Sequence, residues 1–388
     1  MTTGPLVGLR VLDACVAAVG PWAGSILGQL GADVVKLEPP DGDLIRNVMP
    51  ELNGLSTTYL SMNQCKRGIQ LDAKNPEQLG VIHKLASQAD VFLQNFRAGV
   101  AERIGLGYEE LARENPRLIY AAASGYGWTG PLAAIGATDP HIQALSGSTS
   151  VNGVEGGLRE RWRLYGHFDL TTSLCIVEAV LAGLYQRDLT GEGAHLQITM
   201  IEAALALQRV RVAEHLAGGT PRPMGSGTTY LVPDQAFDTQ DRRPVAVTAD
   251  SPRQWRRLCA ALDRPEIADD PRFLTNPSRV ANRDTLTPML ESIFRRRPSV
   301  YWLKVLREAR VPCSTFSSFS DFRHHEHYLA NAWLAENMTT CGPQTVGGLA
   351  WQFSRSPAHL SRGPEPGEHD VLFRNGDWPP LKMATNEK

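Results

Sequence analysis

The chemistry of this chain starts from one carboxylate. In Tyr165-Gly-His-Phe-Asp-Leu-Thr-Thr172, Asp169 stands where a loop meets a long apolar helix read over residues 170–186, and Thr190-Gly-Glu-Gly193 closes that helix. The pattern predicts an N-cap, where unsatisfied backbone N–H groups and the helix dipole hold a carboxylate ionised and oriented. Such a group can attack an acyl donor and carry it covalently. Aspartate is equally a favoured cap with no chemistry attached, so the rest of the chain has to decide.

Other motifs offer less. Gly125-Tyr-Gly-Trp-Thr-Gly130 fits GxGxxG after a strand, but Pro131 follows at once and no acidic residue ends a second strand about 20 positions on. A nicotinamide or flavin site is therefore not expected; a Gly-rich turn that brings backbone close to a ligand or partner chain is. His324-His-Glu-His327 lacks a partner group at defined spacing and reads as a solvated helix end, so no metal is expected. Asn95-Phe-Arg-Ala-Gly-Val-Ala-Glu-Arg103 ends a strand and opens a helix. There Arg97 and Arg103 can reach phosphates, with the Asn95 amide beside them, although plain capping with solvated arginines explains the same residues.

The elements that must position these groups alternate. Strands are read at 7–12, 33–37, 68–71, 89–93 and 118–123, and helices at 21–30, 76–87 and 100–113. This βαβα order predicts a doubly wound, Rossmann-like parallel sheet with function at the strands' carboxyl ends. From Pro221 the character changes. Residues 221–229 read as a linker or glycine loop, and 230–325 as a smaller α+β domain. That domain holds strands at 235–239 and 244–248, a helix opening at Ser251-Pro252, and helices near 279–294 and 299–309. Residues 326–388 return to the large domain begun by 1–220, with a strand at 346–353.

The 388 residues are 42% hydrophobic and 21% charged with a formal net charge of −2, which argues against nucleic acid as a partner. Six scattered cysteines without a CxxC pair read as reduced, packed thiols. Neither a signal peptide nor an apolar stretch near the roughly 20 residues of a membrane span is read, so a cytoplasmic protein is expected.

Together the segments resemble the family III CoA-transferases, the group that includes formyl-CoA and carnitine CoA-transferases. The matching pieces are Leu30-Gly-Ala-Asp-Val-Val-Lys-Leu-Glu-Pro-Pro40, Asn95-Phe-Arg-Ala-Gly99, Gly105-Leu-Gly-Tyr108, Asn115-Pro-Arg-Leu-Ile-Tyr120 and Ser124-Gly-Tyr-Gly-Trp-Thr-Gly-Pro131. Gln143-Ala-Leu-Ser-Gly147, the Asp169 segment, Thr190-Gly-Glu-Gly193, Asp269-Asp-Pro-Arg-Phe273 and Gly367-Glu-His369 continue the match in order. The resemblance implies an α/β domain with a smaller inserted one and an interlocked homodimer. It implies that Asp169 matches the family's catalytic aspartate, forming an acyl anhydride and then an aspartyl-CoA thioester. Acyl-CoA enters as substrate, and Leu71, Asn95, Phe96, Arg97 and Arg103 match positions along CoA. Tyr165 and His167 are candidates for the acyl pocket, and Gly225 and Gly227 for a glycine loop over the site.

Two departures stand out. Ala18 occupies the place of a glutamine of formyl-CoA transferase, which favours a larger acid than formate or oxalate. Pro39 replaces an arginine on the adenine side, leaving Lys66 or Arg67 to supply charge. The α-methylacyl-CoA racemase branch of the same fold uses a histidine where Thr138 stands, which favours transfer, although His141 and His167 lie nearby. A non-catalytic CoA-binding protein is the alternative of a different class.

Overall fold

The computed structural model describes residues 4–52, 54–157, 160–162, 166–340, 342–347, 350–356 and 360–380. The chain divides into two compact units, one made of Met1–Ser146, Trp162–Val212 and Asn331–Lys388, the other of Gly147–Arg161 and Ala213–Ala330. Residues 147–161 and 213–220 thus group with the smaller unit, ahead of the change of character read at Pro221.

The larger unit runs β1 (Arg10–Asp13), α1 (Val19–Gln29), β2 (Asp33–Glu38), the small hairpin β3 (Glu51–Leu52) and β4 (Leu55–Ser56), α2 (Thr57–Met62), β5 (Lys66–Gln70), α3 (Pro76–Ala86), β6 (Val91–Gln94), α4 (Val100–Arg103), α5 (Tyr108–Glu114), β7 (Ile119–Ser124), α6 (Asp139–Leu145), α7 (His167–Thr190), β8 (Ala194–Thr199) and α8 (Met200–Leu207). Six strands form one parallel sheet in the order β5-β2-β1-β6-β7-β8. Apolar side chains fill both faces, as a doubly covered sheet requires. Val11, Val34, Val91, Leu93, Ile119 and Ala121 pack with α1 and α7 on one face. Leu12, Val35, Phe92 and Tyr120 pack with α3, α5 and the C-terminal Phe373 and Trp378 on the other.

Turn chemistry explains most element ends. Asn75 accepts from Glu77 and Gln78 N–H and Pro76 opens α3. The helix expected over 100–113 is two, because Gly105 takes a left-handed conformation (φ 75°) between α4 and α5. The 24-residue α7 is long and apolar enough by length and composition to cross a membrane, which corrects the expectation that no stretch approached this. Phe168, Ile176, Val180 and Leu184 bury one side of it in the core. The exposed edge of β5 is covered by the C-terminal segment: Gly68 N–H donates to His369 Nδ1 and Gln70 N–H to Asp370 Oδ1.

The chain then forms α9 (Arg209–Leu216). In the smaller unit β9 (Asp234–Phe237), β10 (Val245–Thr248) and β11 (Cys313–Thr315) make an antiparallel sheet in the order β11-β10-β9. The three-residue β11 was not read from the sequence. Helices α10 (Pro252–Ala261), α11 (Glu266–Asp269), α12 (Asn276–Ala281), α13 (Arg283–Phe294) and α14 (Ser299–Glu308) enclose a core around Phe237, Trp255, Phe273 and Trp302. Ser251 caps α10, accepting from Gln254 N–H, with Pro252 at the first position as expected. After the short α15 (Phe319–Phe322) and α16 (Glu326–Ala330), the larger unit resumes with the hairpin β12 (Leu334–Thr339) and β13 (Gly342–Gly347), and later α17 (Asp370–Phe373). The strand expected at 346–353 is instead β13, ending at Gly347, a residue that weakens strand interiors.

Candidate functional site

Strand order reverses between β1 and β6, and in open α/β sheets the crevice beyond the carboxyl ends of such a pair is where ligands bind. Residues 14–18 leave β1 there and are stapled to the end of β6. Val16 N–H donates to Asn95 Oδ1 at 2.9 Å, and Asn95 Nδ2 donates to Val16 O at 2.7 Å. Ala17 is held in a left-handed conformation (φ 65°), its N–H donating to Asp43 Oδ1 at 3.0 Å.

Beneath this loop lies a buried ionic floor that the sequence reading missed. Lys36 Nζ donates to Asp43 at 2.8 Å and to Cys15 O at 2.9 Å. Lys66 Nζ donates to Asp13 and to Pro21 O, both at 2.7 Å, and to Asn63 at 2.9 Å. All four charged side chains are fully buried. Burial alone would raise the Asp13 carboxyl, but Lys66 and Lys36 outweigh it and hold it below its ordinary value. Burial would lower Lys36, and Asp43, Asp13 and Glu38 instead raise it. Every charge has partners, which is what makes such burial tolerable.

Asp169 sits in the first turn of α7, not at its N-cap. Gly166 is the cap, in a left-handed conformation (φ 62°) open to glycine, and its carbonyl accepts from Leu170 N–H at 2.8 Å. The Asp169 carboxylate folds back over Gly166, where an added Cβ would lie 3.2 Å from Oδ2. The turn is fixed against α1 by Ser173, whose hydroxyl donates to Val19 O. Leu170 packs in one apolar cluster with Ala17, Ala18, Trp22, Tyr59 and Met62, so the first loop and the Asp169 turn converge.

The electrostatics also differ from the expectation. Burial, helped by the negative charge of Asp139, raises the Asp169 carboxyl from 3.8 to about 7, outweighing the helix terminus. Asp139 Oδ1 accepts from Phe168 N–H at 2.6 Å, and its Oδ2 from Gln143 Nε2 at 2.5 Å. Neither Asp139 nor Gln143 was singled out from sequence. The available signal was their i, i+4 spacing on a helix opened by Asp139-Pro140. His167 stacks edge-on against Trp162 at 4.0 Å, and burial lowers its pKa while Asp139 opposes. Its Nε2 is buried without a hydrogen-bond partner among the described residues. Tyr165 lies outside the described residues.

The residues matched to CoA fall into three groups. Arg97 and Arg103 are exposed beyond β6 and at the end of α4. The Arg97 guanidinium lies against Gly136, where a Cβ would come within 2.8 Å of Nε. Leu71 and Phe96 are half-buried against the second core, and Leu71 borders a cleft of about 340 Å³ with Gln70, Gln78, Phe373 and Arg374. The Asn95 amide bonds both the N–H and the carbonyl of Val16 and shapes the loop. Lys66 is fully buried on Asp13, which corrects its reading as a charge in place of Pro39, while the partly exposed Arg67 pairs with Asp33.

Ala18 is buried at the N-cap of α1. In the smaller unit Gly225 (φ 59°) donates its N–H to Gly153 O at 2.8 Å, and Gly227 closes a turn on Met224 O at 3.0 Å. Thr138 caps α6 and bonds His141 Nδ1 at 2.8 Å. Gly127 (φ 90°) and Gly130 (φ 85°) make the 125–130 stretch a turn, not a helix start. His324–His327 are exposed and run from the turn after α15 into the first turn of α16. Among the described residues no grouping of His, Cys, Asp or Glu could hold a metal ion.

A parallel six-stranded α/β unit with a half-buried carboxylate in the opening turn of a core helix, beside the loop at the sheet's reversal point, defines the class of protein. The description of CoA-transferase family III matches residues 6–370, and the chain belongs to that family as a CoA-transferase. It is 37% identical over 311 residues to the acetyl-CoA:oxalate CoA-transferase of Acetobacter aceti, covering 80% of each chain. It is 34% identical over 355 residues to the succinyl-CoA:glutarate CoA-transferase of Mus musculus, covering 90% of this chain and 81% of that one. The crystal structure of Rv3272 from Mycobacterium tuberculosis superposes with a TM-score of 0.87 at 28% identity, over 96% of this chain and all (100%) of that one.

Proposed function

We propose that this protein moves coenzyme A from an acyl-CoA thioester to a carboxylic acid, with Asp169 as the covalent relay. The observation that carries the reading is the convergence of a half-buried carboxylate, poised near neutrality, with the loop at the sheet's reversal point. The ionised carboxylate attacks the thioester carbonyl, forming a mixed anhydride and releasing CoA thiolate. The thiolate attacks the aspartyl carbonyl of that anhydride, releasing the donor acid and leaving an aspartyl-CoA thioester. The acceptor carboxylate attacks that thioester, re-forming an anhydride and thiolate. Attack of the thiolate on the acyl carbonyl then yields the new acyl-CoA and restores Asp169.

The exposed Arg97 and Arg103 suit the phosphates of CoA, and half-buried Leu71 and Phe96 suit its apolar parts. The apolar cluster at Ala17, Ala18, Trp22 and Leu170 favours an acid with a carbon chain over formate. Acetyl, oxalate, succinyl and glutarate in the relatives' names support small mono- and dicarboxylic acids. Thr138 stands at the position where the racemase reading needs a histidine and cannot shuttle a proton near neutral pH, which supports transfer.

The functional form in this reading is a homodimer. α7 exposes Leu174, Leu181, Tyr185 and Leu189 along one stripe, and α8, packed on it, exposes Leu205 and Leu207. A stripe of this kind suits a second copy of the chain.

The test is Asp169→Ala, assayed with acetyl-CoA and succinyl-CoA against a panel of carboxylic acids. Turnover should fall by roughly 10³-fold or more while CoA still binds. Retained turnover would count against the relay, and deuterium exchange at C2 of a 2-methylacyl-CoA would favour racemisation instead.

A further inference from the structure

Trp162 and Phe168 lie on either side of the α7 cap that precedes Asp169, and two linked side chains of α6, Gln143 and Asp139, hold them. Gln143, buried on α6, accepts from Trp162 N–H through Oε1 at 2.8 Å. Its Nε2 donates to Asp139 Oδ2 at 2.5 Å, while Asp139 Oδ1 accepts from Phe168 N–H at 2.6 Å. The amide is thus spanned between the backbone before the α7 cap and the carboxylate that holds the first turn after it.

We propose that Gln143 is a positioning residue for Asp169, fixing through Asp139 and Trp162 both where that carboxylate sits and how readily it gives up its proton. The buried Gln143 amide also donates to Trp162 O at 3.4 Å, and together these bonds fix its geometry against Asp139. Gln143 cannot be shortened or made apolar without freeing Asp139, Trp162 N–H or both. The titratable groups on the elements around Asp169 are few. Asp139 lies on α6 and His167 in the first turn of α7; α1 carries none, and Tyr59 of α2 turns its hydroxyl to Glu38 and Pro364 O. Asp139 is the charge that acts on Asp169, and Gln143 is its side-chain donor on α6.

The direction of the effect follows. The charge of Asp139 raises the proton affinity of Asp169, and the Gln143 amide fixes where that charge sits. Without the amide, Asp139 is free to turn away from Asp169 and the α7 turn loosens toward water, so Asp169 ionises more readily. Both changes lower its midpoint. An added carboxylate at 143 does the reverse.

The role assigned to Gln143 rests on the Asp169 relay, so the experiment includes a readout that needs no turnover. Aspartate-¹³Cγ titration of the full-length protein, with Asp169→Asn to assign the resonance, gives the Asp169 midpoint. Gln143→Met keeps the side-chain length and removes the amide's hydrogen bonds, and should lower that midpoint by about 0.5 pH unit or more. Gln143→Glu keeps the acceptor and loses the donor, and should raise it. In the assay both variants should lose about 10-fold or more in kcat, with the acyl-CoA KM within about twofold of wild type. Midpoints unmoved in both folded variants, or a loss confined to KM, overturns the proposal. If the wild type never carries an adduct on Asp169 the relay falls, while the midpoint shift still decides what Gln143 does.

Discussion

At the level of single residues, the decisive quantity is the proton affinity of Asp169. Burial and Asp139 place it at about 7, so a carboxylate that would be wholly ionised in water is half protonated at neutral pH. In the proposed relay the reactive form is the anion, so kcat/KM should rise with pH, reach half its plateau near pH 7 and level off about one unit higher. A half-maximum below about pH 5 would show that burial does not govern the nucleophile. The same shift predicts a stability effect. Below about pH 4 the carboxyl is protonated in folded and unfolded chains alike, and between about 4 and 7 only the unfolded chain ionises, so stability falls as pH rises. Asp169→Asn should therefore melt higher than wild type at pH 8, with the gap closing toward pH 4; calorimetry at the two values reads this directly.

At the level of elements, the loop over 14–18 is held by charges that no local pattern reveals. Asp13, Lys36 and Lys66 lie on three different strands, and Asp43 follows the second. Lys66→Met leaves Asp13 buried without its cation, and should cost about 3–5 kcal/mol in chemical denaturation. Pairing it with Asp13→Leu should recover part of that loss; an additive double variant would show that the two charges do not act as a pair. The same residues show how far sequence reading carries. The alternating strands and the caps at Asn75 and Ser251 were readable because apolar periodicity and capping chemistry are local. Lys66 and Arg67 were assigned to the ligand because nothing local shows that Asp13 and Asp33 meet them. The bond between Asn95 and Val16 was out of reach for the same reason, since the two lie 79 residues apart. Asp169 was placed one turn early because aspartate is a common cap, whereas the left-handed Gly166 provides the cap here.

For the whole molecule, the reversal of strand order explains why segments distant in sequence converge. The loop after β1, the end of β6 and the start of α7 meet because the chain winds outward from β1 in both directions. The order was predictable as a class from the βα alternation, and the family resemblance added the insertion. The exposed stripe on α7 makes a further claim at this scale. Sedimentation equilibrium should give twice the chain mass for the wild type, and Leu181→Glu with Tyr185→Glu should shift it toward monomer. A monomeric wild type would remove the stripe's assigned partner.

The central claim is that the Asp169 side chain is transiently esterified. Borohydride added to the enzyme during turnover reduces an aspartyl thioester to homoserine, and hydroxylamine converts an anhydride to a hydroxamate; peptide mass spectrometry locates either. The account predicts one of these products on the peptide holding Asp169, dependent on acyl-CoA and missing in Asp169→Asn. Sustained turnover with that peptide unmodified, across productive donor and acceptor pairs, would contradict it.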